Sequence, residues 1–67
     1  MDVGHRLARK VKALRAKNGW SQEELADRAG MHRTYISQIE RVIKSPPIVA
    51  VDRIAVALGV SLGELLD

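Results

Sequence analysis

The sequence contains no cysteine and no phenylalanine, and its only aromatic residues are Trp20 and Tyr35. The absence of cysteine excludes disulfides, thiolate metal sites and cysteine nucleophiles, and it suits a reducing cytoplasm. The only histidines are His5 and His32, and no carboxylate spacing near them indicates a metal site. With two aromatic residues, the core must be built from aliphatic side chains.

Long apolar runs and catalytic groupings are also missing. No run approaches the roughly 20 apolar residues of a membrane-spanning helix, and the first residues lack the apolar stretch of a secretory signal. We find no nucleophile–base pair and no glycine-rich phosphate loop, and 67 residues leave little room for a pocket. The sequence therefore predicts no membrane protein, no enzyme, no cofactor and no small-molecule ligand.

The net charge of +3 is unevenly distributed. Residues 1–20 contain six basic side chains against Asp2, residues 21–47 are balanced, and residues 48–67 are acidic. A basic first part suits a polyanion such as a nucleic acid, although a solvated helix face explains lysine and arginine equally well. Charge alone leaves both interpretations open.

Apolar residues recur at helical spacing, which predicts one all-α domain of five helices over residues 1–67. Each predicted end has a local signal. The first helix, residues 3–17, ends at Asn18–Gly19; two capping boxes begin the second and fifth helices; and two prolines precede the fourth helix. The predicted capping boxes and hydrophobic staples are Ser21 with Glu24, Ser61 with Glu64, Trp20 with Leu25, and Val60 with Leu65. The remaining helices are expected at about residues 33–41, 48–58 and 62–66.

Residues 22–41 predict two short helices that cross at a tight turn. Ala26 is small enough for close helix approach, and Gly30 can take a positive φ just after the first of the two helices. Ile36 and Ile39 are spaced to bury the inner face of the second. This is a helix-turn-helix pattern, and a DNA-binding version of it places its second helix in the major groove.

The same stretch carries a family resemblance. The segments that carry it are Ser-Gln-Glu-Glu-Leu-Ala at 21–26, Ala-Gly at 29–30, His-Arg-Thr-Tyr-Ile-Ser at 32–37 and Ile-Glu-Arg at 39–41. They resemble the Cro/repressor (XRE-like) helix-turn-helix regulators, and the run at 32–37 is particularly similar to controller proteins of restriction-modification systems. The likeness, from about Leu7 to Leu66, implies a lambda-repressor-like fold. It also implies a transcription regulator that binds a double-stranded, pseudo-palindromic operator as a homodimer, in the cytoplasm at the nucleoid.

The outward positions of the third helix supply the chemistry for reading bases. Arginine can bind guanine O6 and N7, glutamine can pair with adenine, and the threonine methyl can contact thymine. In the family, the N-terminal part of this helix reads bases. The resemblance therefore assigns base contacts to Arg33, Thr34, Ser37 and Gln38.

Other roles are also implied by the resemblance. It implies a half-buried ion pair between Arg15 and Glu40, although both could be exposed and separate. Contacts to DNA phosphates are expected from Gln22, Asn18, Arg41, Lys44 and Tyr35; Tyr35 could equally pack on the second helix, and His32 could contact phosphate or occupy the surface. The dimerisation region is expected at residues 58–67, through Val60, Leu62, Leu65 and Leu66, unless these residues close the monomer core.

One position departs from the family pattern. Val42 stands where a glycine is expected to end the third helix in left-handed geometry, and a β-branched residue is unfavourable at positive φ. We therefore expect either a helix that continues through Ile43 or a turn of another shape. Because Val42 and Ile43 are apolar, this loop could also belong to a protein-interaction module or an antitoxin-type component that retains the fold.

Overall fold

The computed structural model describes residues 2–67, which form five α-helices and no strand. The helices are α1 (Val3–Lys17), α2 (Gln22–Ala29), α3 (Arg33–Glu40), α4 (Ile48–Leu58) and α5 (Leu62–Leu66). The predicted all-α fold is confirmed; among the helix ends, only that of α3 differs, because Arg41 caps the helix instead of continuing it. In the part described, no helix is both long enough and apolar enough to cross a membrane.

The core is aliphatic and draws on all five helices. α1 packs against α3 and α5, and α2 packs against α3 and α4. The fully buried side chains are Val11, Leu25, Ile36, Ile39, Ile54 and Leu65. In α1 the apolar residues at helical spacing are buried at Leu7 and Val11, while Val3 at the start of the helix is exposed. The core therefore orients α3 through the inner face that Ile36 and Ile39 supply.

Side chains cap the first backbone amides of four helices. Asp2 accepts from the amide of His5 in α1 at 2.8 Å, and Ser21 accepts from that of Glu24 in α2 at 3.0 Å. The second hydrogen bond of the predicted capping box, from the Ser21 amide to the Glu24 carboxylate, is not formed. The Glu24 carboxylate accepts from Arg28 Nε at 2.7 Å instead, so this part of the prediction was wrong. Arg28 also lies over the Trp20 ring, 4.3 Å from its centroid.

α3 is capped by an imidazole. His32 Nδ1 accepts a hydrogen bond from the Thr34 amide at 3.0 Å. The accepting nitrogen carries no hydrogen, so the hydrogen of the neutral ring lies on Nε2. His32 thus performs at this N-cap the role that Ser, Thr, Asp or Asn usually performs.

The capping box at the start of α5 is complete. Ser61 Oγ accepts from the Glu64 amide, and the Glu64 carboxylate accepts from the Ser61 amide, each at 3.0 Å. These bonds to Ser61 lower the pKa of Glu64 below its ordinary value. The stabilising effect of this carboxylate is therefore present above the ordinary glutamate pKa, and it is lost as the pH falls through the lowered pKa of the folded state.

We expect Ser61→Ala to lower the free energy of unfolding by about 1 kcal/mol at neutral pH, because α5 loses its cap. Urea unfolding at pH 7 measures the change, with Ser45→Ala, a serine on the exposed loop before α4, as the control. Glu64→Gln tests the carboxylate itself, because Ser61→Ala keeps the backbone amide that the carboxylate binds. The difference between wild type and Glu64→Gln should shrink as the pH falls and Glu64 becomes protonated. A difference that stays constant to pH 3 would contradict the role of the Glu64 carboxylate.

The turn after α3 has left-handed geometry despite its valine. Val42 has φ 58°, and it is the only residue other than glycine with a positive φ among those described. The Ile43 amide donates to the carbonyl of Gln38 at 2.9 Å, and the Val42 amide donates to that of Ile39 at 3.0 Å. This is the Schellman arrangement that normally uses glycine. Both expectations for this turn were wrong. The helix does not continue through Ile43, and the turn keeps the left-handed geometry that glycine usually provides.

We expect Val42→Gly to stabilise the domain by about 1 kcal/mol. Relief of the strained φ contributes about 1–3 kcal/mol, and the greater conformational entropy of glycine in the unfolded chain offsets part of that gain. Thermal unfolding should be measured at a concentration low enough to keep the chain monomeric. Val42→Ala is the matched control because it shortens the side chain and keeps the penalty of positive φ. Equal destabilisation by both variants would show that Val42 is not strained.

Candidate nucleic-acid interface

The turn between α2 and α3 sets the crossing of the two helices. Gly30 ends α2 with φ 70°, and the Met31 amide donates to the Ala26 carbonyl at 2.9 Å. Ala26 is itself buried, so its small side chain lets the helices approach closely. The predicted helix-turn-helix thus has its glycine, its small residue and its inner isoleucines in the expected places.

The outer face of α3 carries the four candidate base-reading residues. Arg33 and Thr34 are exposed, and Ser37 and Gln38 are half-buried. The helical spacing places all four on the side opposite the buried Ile36 and Ile39. Within residues 2–67, no hydrogen bond engages the side chains of Arg33, Thr34, Ser37 and Gln38. Their donors and acceptors are therefore available to a ligand that lies along the helix.

A buried carboxylate at the end of α3 holds this helix against its neighbours. Arg15 donates from Nε to Glu40 Oε2 at 2.9 Å and from a terminal nitrogen to Oε1 at 3.0 Å. Glu40 is only 6% exposed, and Arg15 also donates to the Trp20 carbonyl at 3.0 Å. The hydrogen bonds to Glu40 raise the pKa of Arg15. The structure thus brings together the two residues that were expected to pair.

Gln22 extends this network to the first turn of α2. Its Nε2 donates to Glu40 Oε1 at 3.0 Å, so one carboxylate binds side chains of both α1 and α2. The sequence did not reveal this bond, because it joins residues 18 positions apart. The second hydrogen on Gln22 Nε2 makes no bond within residues 2–67, and it stays a candidate donor to a phosphate.

The other candidate phosphate contacts lie in different surroundings. Asn18 folds its side-chain amide back onto the Leu14 carbonyl at 2.8 Å, as part of the end of α1. Arg41 is exposed as the C-cap of α3. Tyr35 packs against the core, and Lys44 Nζ lies 5.2 Å from the centroid of its ring. Arg41 and Lys44 are therefore the best placed, and Asn18 is the least available.

The expected dimer residues of α5 are mostly used inside the monomer. Leu65 is fully buried, so its assignment to a dimer surface was wrong. Its side chain points into the core because the capped helix packs against α1 and α4. Val60, Leu62 and Leu66 are half-buried and also pack against the core. Periodicity could not distinguish these two uses of an apolar side chain.

Comparison with known proteins agrees with this geometry. A transcription factor described as hypothetical, from Neisseria meningitidis serogroup B, is 42% identical over 65 residues, which cover 97% of this chain and 61% of that protein. Control protein C.BamHI of Bacillus amyloliquefaciens is 43% identical over 62 residues, which cover 91% of this chain and 76% of that protein. The chain therefore spans less than two thirds of the Neisseria relative.

Solved structures give the same result. The crystal structure of the hypothetical transcription factor NHTF from Neisseria matches with a TM-score of 0.96 at 39% identity, covering 98% of this chain and 76% of that one. The biofilm master regulator SinR, crystallised in complex with DNA, matches with a TM-score of 0.85 at 35% identity, covering 91% of this chain and 98% of that one.

The family profile matches most of the chain. It is the helix-turn-helix family HTH_3, and the match covers residues 11–65. That range contains both helices of the predicted motif and the glycine between them. The resemblance inferred from the residues of that motif is confirmed, and the chain belongs to the HTH_3 family of XRE-type helix-turn-helix proteins.

Proposed function

We propose that this chain is a sequence-specific DNA-binding transcriptional regulator. It inserts α3 into the major groove and reads bases with Arg33, Thr34, Ser37 and Gln38. The observation that carries the proposal is the outer face of α3, where these four side chains make no hydrogen bond to any other described residue, 2–67. An interaction surface has no need of an arginine, two hydroxyls and an amide in one row, whereas each of them has a partner on a base edge.

The buried network explains how this face is held in position. Glu40 ends α3 and binds Arg15 of α1 and Gln22 of α2, so the angle of α3 is fixed against both neighbours. The same bonds place the first turn of α2 beside α3, where its free amides and the second Gln22 hydrogen can bind a phosphate. Arg41, which follows Glu40 as the exposed C-cap of α3, supplies a further contact to a phosphate.

The regulator acts as a homodimer on a pseudo-palindromic operator. Two copies related by a two-fold axis place their α3 helices in successive major grooves, so the half-sites lie about 34–36 Å apart. Its affinity falls with salt concentration, with a logarithmic slope of about −0.9 for each phosphate that it neutralises. It acts at the bacterial nucleoid, in the manner of a controller protein, through its own concentration.

Selection of bound fragments from a random DNA pool tests the proposal. The purified chain is mixed with the pool at low salt, and the bound fragments are sequenced after several rounds. We expect enrichment of a motif with two inverted half-sites whose centres lie one helical turn apart. Enrichment of a single half-site would support DNA reading and reject the dimer. No enrichment at low salt would reject the DNA-binding function itself.

A further inference from the structure

A cluster of exposed aliphatic side chains surrounds a groove at one end of the domain. We name it the corner groove; its lining includes Val3, Val42, Ile43, Ile48 and Leu66. Its volume is about 490 Å³. Val3, Ile43 and Ile48 are 54%, 60% and 56% exposed. α1, the turn after α3, the start of α4 and the end of α5 all contribute to this one surface.

The strained valine is the most informative member of the groove. Val42 holds φ 58° in a turn whose hydrogen bonds a glycine would make without penalty. Its Cγ1 lies against Gly4, where an added Cβ would approach to 3.3 Å. Strained residues persist at functional sites more than elsewhere. Here the strain keeps a branched apolar side chain at the rim of the groove, 38% exposed.

We infer that the corner groove is the surface through which two copies of this chain associate, an inference that rests on the homodimer proposed above. Symmetric dimer interfaces are isologous and more apolar than other protein contacts. The groove provides an apolar centre, and Asp2 and Lys44 line it with opposite charges. A two-fold axis would repeat any contact between Asp2 of one copy and Lys44 of the other, so the opposite charges favour a second copy of this chain as the occupant.

The two charges are held in place before association. Asp2 caps α1 through the His5 amide, and Lys44 lies over the Tyr35 ring. The leucines of α5 expose less apolar surface to a partner, because Leu65 is fully buried and Leu62 is half-buried in the monomer. The apolar surface that remains for a partner is therefore greatest at the corner groove, with Leu66 as its link to α5.

Sedimentation equilibrium without DNA tests the inference on three variants. Ile43→Ser removes apolar surface from both sides of a symmetric contact, so we expect the dissociation constant of the dimer to rise at least about tenfold. Val56→Ser is the matched control, because Val56 is 72% exposed on α4 and lies outside the groove; its dimer should be unchanged. Val42→Gly should also weaken the dimer although it stabilises the monomer, and a merely structural role cannot produce these opposite signs.

The other outcomes distinguish a failure of the corner groove as the dimer interface from a failure of the proposed function. A dimer whose dissociation constant is unchanged by Ile43→Ser and Val42→Gly overturns the corner groove and leaves the homodimer in place. A wild type that stays monomeric at high micromolar concentration overturns both. Neither result affects DNA reading by α3, since a monomer that reads bases still enriches a single half-site from the random pool.

Discussion

Arg15→Ala is expected to destabilise the domain by about 3–5 kcal/mol, because it leaves the Glu40 carboxylate buried without its charge partner. In the wild type that carboxylate receives two hydrogen bonds from Arg15 and one from Gln22. A loss of this size is a large part of the roughly 5–15 kcal/mol that stabilises a native domain. The free energy of unfolding, measured in urea at pH 7, should therefore fall sharply.

Two further variants make this test specific to the ion pair. Lys12→Ala removes an exposed cation from the same helix and should change the free energy of unfolding by less than about 0.5 kcal/mol. The double variant Arg15→Met with Glu40→Leu removes both charges, and it should recover most of the lost stability. An unfolding free energy for Arg15→Ala equal to that of the wild type would show that the pair contributes nothing.

Arg33→Ala has the second large expected effect. Loss of one arginine that binds a guanine should weaken binding to the enriched fragment by about 1–3 kcal/mol, and the preference at one base pair of each half-site should be relaxed. Fluorescence anisotropy with that fragment and its single-base variants measures both quantities. Arg33 is exposed and its side chain makes no hydrogen bond within residues 2–67, so the fold should be unaffected.

Arg41→Ala is the comparison that distinguishes a base contact of Arg33 from a phosphate contact. Arg41 is expected to bind a phosphate, so its removal should weaken binding uniformly across sequences and reduce the salt slope by about one. Arg53→Ala, on the exposed side of α4, controls for the loss of a positive charge. If Arg33→Ala behaves like Arg41→Ala, then Arg33 contacts the backbone and not a base.

Local chemistry explains why the helices could be predicted. The serine caps, the glycines after α2 and α4 and the apolar spacing act within a few residues of each position. The hydrogen bond predicted from the Ser21 amide to the Glu24 carboxylate was wrong because two partners lie within reach of that carboxylate. Both Ser21 and Arg28 are close enough, and only the folded structure shows that the carboxylate binds Arg28. Sequence rules describe what a residue can do locally, and they do not rank competing local partners.

Tertiary contacts explain what could not be predicted. Left-handed geometry at Val42 is opposed by its own side chain, but the bonds from Ile43 to Gln38 and the contact with Gly4 require it. The double role of Gln22 depends on Glu40 at the far end of α3. For Leu65, the apolar spacing was read correctly, and only the packing of α5 against α1 and α4 determined which surface it serves.

The central claim is that the outer face of α3 binds DNA. The most direct test is to follow the amide and side-chain resonances of the isotope-labelled chain by NMR as the enriched fragment is added. We expect the largest shifts at Arg33, Thr34, Ser37 and Gln38, with smaller ones at the first turn of α2. Largest shifts at the corner groove or on the exposed side of α4, with α3 unaffected, would contradict the claim.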